Sequence, residues 1–143
     1  MNERNRIAEN FLREYSAVQK ELRLIEEQMF DISRLLLLLG DGAETEEGNS
    51  QQYHRYREAL RTYRELEYRH TVLEGKQSTV EAIVNDLNEN ERAVIRRYYL
   101  DGTFRHAAAD LMTILGYEKS QIYRIRTQAL AHIYLLMPKS EHT

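Results

Sequence analysis

Ten apolar side chains near the start of the chain limit its possible folds more than any other feature: Ile7, Phe11, Tyr15, Val18, Leu22, Ile25, Met29, Ile32, Leu36 and Leu39. After two steps of four, the gaps alternate between three and four, a heptad pattern held over four repeats. That spacing puts the side chains in one stripe of an α-helix packed against another helix. Glu14, Lys20, Glu21, Arg23, Glu26 and Glu27 fall between them and form the solvated face. Gly40 and Gly42 are expected to stop the helix, and roughly 33 residues at ~1.5 Å rise make a rod of about 50 Å. A stripe of that length must be covered.

The acidic stretch DGAETEEGNS reads as a connector, placed at residues 40–51. Periodicity resumes at Tyr53, Tyr56, Leu60 and Tyr63, followed by Leu66, Leu73, Val80 and Leu87 at seven-residue intervals. An antiparallel hairpin of the two helices would bury both stripes within one chain. A homodimer through the N-terminal helices would cover them equally well. Gly75 and the Ser78-x-x-Glu81 pattern predict a kink or restart near residue 78. Tyr53, Tyr56, Tyr63 and Tyr68 lie at helical spacing, and amphipathic packing is favoured over an aromatic recognition surface. Arg55, Arg57, Arg61, Arg64 and Arg69 alternate with Glu58, Glu65 and Glu67, a pattern read as a salt-bridged, solvated face rather than a second nucleic-acid patch.

Composition narrows the class. In 143 residues, 30% charged, there are six glycines and one proline, so long helices are the default and the expected fold class is all-α. The absence of cysteine excludes a disulfide framework and thiolate chemistry, and suits a cytoplasmic protein. The start, MNERNRIAENF, lacks the apolar core of a signal peptide. The run Leu35–Leu39 is too short to span a bilayer, so no membrane partner is expected. The net charge of −3 averages two unlike halves. Residues 1–90 carry 12 basic and 18 acidic side chains, or −6, whereas residues 91–143 carry 8 and 5, or +3.

The basic half reads as a compact helical module. Asn88, with Glu91 three residues on, starts a helix whose apolar face is Val94, Ile95, Tyr98 and Tyr99, and Asp101-Gly102 ends it. The stretch TFRHAAADLMTILG supplies a second helix beginning between Phe104 and Ala107. Gly116 follows Leu111, Ile114 and Leu115, where a residue of positive φ would close it. Glu118 or Lys119 starts a third, spanning 119–135 and ending before Pro138, with Ile122, Ile125, Ala129 and Ile133 facing inward. Its opposite face carries Lys119, Ser120, Gln121, Tyr123, Arg124, Thr127 and Gln128, residue types that bond phosphates and base edges. Two helices joined this way meet the requirements of a helix-turn-helix, whose second helix enters the major groove. The domains are therefore drawn as an arm at 1–77, a DNA-binding module at 78–138 and a polar tail at 139–143.

This half also resembles a known pattern. Leu-Asn before Glu-Arg, an apolar helix ending in Tyr98-Tyr99, and then L-G-Y-x-x-S-Q-I-Y-R-I look like region 4 of sigma factors. The resemblance is closer still to small phage-encoded late-gene transcription activators of the RinA and ArpU type, which also join an N-terminal helical arm to a sigma-like helix-turn-helix. It covers about residues 83–136; over the arm it is architectural only. Where the family's recognition helix has a capping Ser or Thr, this chain has Glu118. The resemblance implies that Lys119, Ser120, Gln121, Arg124 and Thr127 face DNA, while Ile122, Ile125 and Leu130 hold the helix to Leu111 and Leu115.

The expected function is sequence-specific binding of double-stranded DNA by a transcription regulator, a phage or prophage activator of late genes in a bacterial cytoplasm. The resemblance adds RNA polymerase as a second candidate partner. Arg92, Arg96, Arg97, Arg105 and Arg126 are the candidates for phosphate-backbone contacts, and Arg124 for a bidentate guanine contact. The alternatives are a coiled-coil interaction protein without DNA binding, and a phage DNA-packaging small subunit. No catalytic residue, metal site or cofactor is expected. His54, His70, His106, His132 and His142 lack paired ligand spacing. Neither a phosphate-cradling glycine loop nor a nucleophile elbow is present.

Overall fold

The computed structural model describes residues 1–43 and 50–142, so the part of the expected connector at 44–49 lies outside the described residues. All regular structure among the described residues is helical. Helix α1 spans Glu3–Ala43, α2 Ser50–Asn85 and α3 Glu89–Ile95, which continues as one π-helical turn at Arg96–Leu100. Helix α4 spans Phe104–Leu115, α5 Lys119–Leu136, and a 3₁₀ turn follows at Lys139–Glu141.

Both long helices ignore stop signals in their sequences. Helix α1 continues through Gly40 to Ala43, and α2 runs unbroken through Gly75 and Ser78, where a kink or restart was expected. Tolerating Gly75 costs about 1 kcal/mol relative to alanine. Burial of Leu73 and Val80 on either side outweighs this, at roughly 1.5–3 kcal/mol for each large apolar side chain. Leu66, Leu73, Val80 and Leu87 are all buried, and Ala59 extends the seven-residue series by one step.

The chain forms two compact units, and each long helix contributes a segment to both. The sequence suggests a boundary at residue 77, with everything before it in an arm. Contacts instead group Met1–Val18 with Lys76–Thr143, and leave Gln19–Gly75 as the other unit.

In the unit Gln19–Gly75, the segments of α1 and α2 pair in opposite directions. Arg69 meets Glu21 at 2.7 Å, His70 meets Glu26 at 3.0 Å, and Gln52 Nε2 donates to the Leu39 carbonyl at 3.1 Å. Leu22, Ile25 and Leu39 are buried along α1, and Ala59, Leu66 and Leu73 along α2. Met29, Ile32 and Leu36 complete the α1 stripe, half-buried. Leu24, Phe30, Leu37 and Leu38 lie off that stripe and stay exposed.

The other unit has a continuous core. Ala8, Leu12 and Tyr15 of α1 pack with Val80, Ile83 and Val84 of α2, with Leu87 of the α2–α3 turn, with the α3 and π-turn residues Val94, Ile95, Tyr98, Tyr99 and Leu100, and with apolar residues of α4 and α5. Here the α1 stripe is wider than the heptad seam predicts. Ala8 and Leu12 are fully buried, while the seam residues Ile7 and Phe11 are only half-buried. A single partner helix covers a narrow seam, whereas a globular core on several sides needs a broad apolar face.

Candidate nucleic-acid interface

The local chemistry that shapes the C-terminal helices is short-range. Asn88 Oδ1 accepts from the Glu91 amide at 2.9 Å, and Glu91 Oε1 accepts from the Asn88 amide at 3.4 Å, a reciprocal capping box that starts α3. Gly116 closes α4 with φ of 70°, in the left-handed region that a Cβ disfavours, and its amide donates to the Met112 carbonyl. Three residues later α5 begins. Glu118 is its N-cap residue but caps only with its backbone, since its side chain makes no capping hydrogen bond. The carboxylate suits the positive end of the helix dipole and opposes a phosphate at the same place.

Helix α5 packs on α3 and α4. Ile122, Ala129, Leu130 and Ile133 are fully buried, Ile125 is half-buried, and Leu111 of α4 lies in the same core. Ile114, grouped by sequence with Leu111 and Leu115, is instead exposed. With the inner face occupied, Lys119, Ser120, Gln121, Tyr123, Arg124, Thr127 and Gln128 all reach solvent. Ser120, Arg124, Thr127 and Ala131 recur at steps of four, three and four, so they form one line along the outer face. Arg124 sits mid-line. Thr127 spends its hydroxyl proton on the Tyr123 carbonyl at 3.0 Å, which leaves its oxygen lone pairs outward.

The five arginines expected to contact a phosphate backbone fare differently. Arg105 is exposed. Arg92 donates to the carbonyls of Asn85 and Leu87 at 3.2 and 3.0 Å, fastening the α2–α3 turn. Arg97 lies 4.0 Å from Asp110 and keeps part of its surface in solvent. Arg96 is committed internally. Its guanidinium makes two bonds to Asp101, at 2.7 and 3.1 Å, and a third to Glu81 at 2.8 Å. These bonds hold its pKa above even the usual arginine value. Glu81 also accepts from the Tyr15 hydroxyl at 2.6 Å. Burial pushes the Glu81 carboxyl up, but the bonds from Arg96 and Tyr15 outweigh it and hold the group below its ordinary range.

Arg126 departs furthest from its expected place. It is 8% exposed, with its guanidinium over the rings of Tyr98, Tyr123 and Phe104 at 4.9, 5.0 and 5.2 Å. It points about 200° round the helix from Arg124, on the side where α5 meets the aromatic cluster of the π turn. There it braces the fold from inside rather than projecting into solvent.

Two supports of α5 carry no periodic signal in the sequence. Asn5 of α1 is buried, and its amide nitrogen donates to the Thr127 carbonyl at 3.4 Å. His132 Nδ1 lies 2.6 Å from Glu91 Oε2 of the α3 capping box, an ion pair when the imidazole is protonated. A polar residue at a buried position breaks an apolar pattern instead of announcing one. The nearest cue to Asn5 is its place one turn before the buried pair Ala8 and Leu12.

Among the described residues, no group of His, Asp and Glu could hold a metal ion, and no helix is long and apolar enough to cross a membrane. No family model, curated protein or solved structure matches the chain.

Proposed function

We propose that this chain is a sequence-specific DNA-binding transcription regulator, a phage or prophage activator of late genes, that reads the major groove of double-stranded DNA with α5. One observation carries the reading. The face of α5 from Lys119 to Gln128 is wholly polar or aromatic and exposed, on a helix whose other face is locked into a core. Such a helix is rigid enough to present side chains to base edges, and α4 with the Gly116 turn supplies the first half of a helix-turn-helix. Arg124 takes the guanine-reading role, because its guanidinium can bond O6 and N7 together. Lys119, Ser120, Gln121, Tyr123, Thr127 and Gln128 flank it, while Arg92, Arg97 and Arg105 retain surface for phosphate contacts. The local excess of base over acid in residues 91–143 supports the same reading. RNA polymerase is a second proposed partner, by likeness to sigma region 4.

The test is selection of bound sequences from random duplexes, followed by titration of the Arg124→Ala variant. On the selected site the variant should lose about 1–3 kcal/mol and tolerate more bases at one position. An equal loss on selected and random duplexes would overturn the assignment of Arg124 to base reading.

A second reading, a protein-interaction module that assembles through its helices as a homodimer, is favoured by the exposed Leu24, Phe30, Leu37 and Leu38 of α1. Light scattering with these four residues replaced by glutamine separates it: an unchanged mass removes this reading.

A further inference from the structure

The arginines of α2 were expected to be neutralised by neighbouring glutamates, yet most of the face they occupy is not. The buried positions Ala59, Leu66 and Leu73 lie on one side of the helix. Opposite them, Tyr53, Arg57, Leu60, Arg61, Arg64 and Tyr68 line a shallow groove on the outer surface. Arg57, Arg61 and Arg64 are exposed, and Tyr68 is 72% exposed. Arg57 donates to its neighbour's hydroxyl, Tyr53 Oη, at 3.3 Å, a contact that consumes no charge. Arg61 reaches Glu58 at 3.8 Å, with both side chains largely in water, where such a pair contributes little. Arg64 has no ion pair among the described residues. Arg69, at the edge of the same groove, is by contrast closely paired with Glu21 at 2.7 Å. Glu65 borders the groove as its one carboxylate.

Three exposed guanidinium groups, of which only Arg61 has an ion pair and that a loose one, stand at steps of four and three in a row about 10 Å long at ~1.5 Å per residue. That length corresponds to about three steps of one DNA strand at ~3.4 Å rise. Guanidinium forks match phosphate oxygens in pairs, and the Tyr53 and Tyr68 hydroxyls at the ends add neutral donors of the kind that contact a sugar–phosphate backbone. The groove is open to solvent and its polar groups are mainly guanidinium forks, which match phosphate oxygens, so it suits the backbone and not the sequence. We propose that the outer face of α2 from Tyr53 to Tyr68 is a second, sequence-independent binding surface for the phosphodiester backbone of nucleic acid. It lies in a different compact unit from α5 and requires no base reading there.

The experiment uses the full chain and a fluorescent 20-base-pair duplex of arbitrary sequence, with affinity followed against salt concentration. Each phosphate neutralised contributes about −0.9 to the slope of log K on log salt. The triple variant Arg57→Ala, Arg61→Ala, Arg64→Ala should therefore bind at least tenfold more weakly at low salt, with a slope less negative by about 2 to 3. The triple lysine variant, which keeps the charges, should retain most of the parent slope. Arg124→Ala, measured in parallel, should move the slope by no more than about 1. A loss confined to the α2 variant upholds this surface even if the reading of α5 fails. An unchanged slope in the triple alanine variant, or no binding of the duplex by the parent, overturns it. Competition by polyglutamate as effective as that by DNA also overturns it, in favour of an acidic protein partner.

Discussion

The placement of Arg126 makes a prediction that separates structure from DNA contact. Replacement by alanine removes a guanidinium lying 4.9–5.2 Å from three ring centroids, in a site only 8% exposed. Cation–π contacts run from about 0.5–1 kcal/mol in water to about 2 when desolvated, and three around one cation add less than linearly; roughly 2 kcal/mol is a fair sum. Two methylenes of the stem contribute about 1.6 kcal/mol more. Against this, Arg126 Nε is buried without a hydrogen-bond partner, and its removal relieves about 1 kcal/mol. The net expectation is a loss of about 2–3 kcal/mol, equivalent to about 10 °C or more in melting temperature for a unit of this size. Urea titration followed both by circular dichroism and by tyrosine fluorescence would measure it, since the chain has ten tyrosines and no tryptophan. Arg126→Met, which keeps the stem and loses the cation, should fall about halfway. If Arg126→Ala is within about 0.5 kcal/mol of the parent yet weakens duplex binding with the slope change of one phosphate, the internal role is wrong and the residue returns to the proposed DNA surface.

Further predictions follow from single contacts. A Cβ on Gly102 would stand 2.6 Å from the Arg97 carbonyl oxygen, so Gly102→Ala should cost about 1–3 kcal/mol by forcing backbone movement. Gly116→Ala meets no atom within 4 Å and should cost only the left-handed penalty of about 1–2 kcal/mol, with Gly116→Asn milder; chemical denaturation checks both, and a neutral Gly102→Ala would refute the steric argument. Glu81→Gln leaves Arg96 and Tyr15 short of a charged acceptor and should lose about 1–3 kcal/mol at neutral pH. Because the Glu81 pKa is depressed on folding, its contribution is present above the unfolded value near 4.3 and disappears as pH falls through the lower folded one, so parent and variant should converge in stability in acid. His70 runs the other way. The hydrogen bond to Glu26, with the charge of Glu74 in support, raises its pKa despite some burial. Its stabilisation of the helix pair is full below about pH 6.5 and is lost as pH rises through the higher folded value. Titration by NMR should place its midpoint above that of free histidine, and a midpoint at or below 6.5 would dismiss the pairing.

Much of the architecture was legible because its causes are local. The Asn88–Glu91 capping box, the left-handed Gly116 and the start of α5 at Lys119 each depend on residues within one turn of one another. The series Leu66, Leu73 and Val80 depends only on helical geometry. The outward polar face of α5 was readable for the same reason, since the inward residues declare which side is left. What the sequence could not reveal depends on neighbours distant along the chain. At Gly75 two sequence signals conflict, the glycine and the heptad step from Leu73 to Val80 across it, and the burial of both those residues decides for continuation. Nothing near Asn5 says that it will meet Thr127, or that the first 18 residues will join the C-terminal core. Arg126 and Arg124 are identical side chains two positions apart, and residue type alone treats both as surface. Two residues on a helix differ by about 200° in direction, so one faces solvent and the other an aromatic cluster assembled from the π turn and α4. By itself the sequence determined the helices and their faces, because side-chain direction follows from the turn of the backbone. Only the tertiary structure decided which arginines remain free to act, because that depends on which distant groups surround each one.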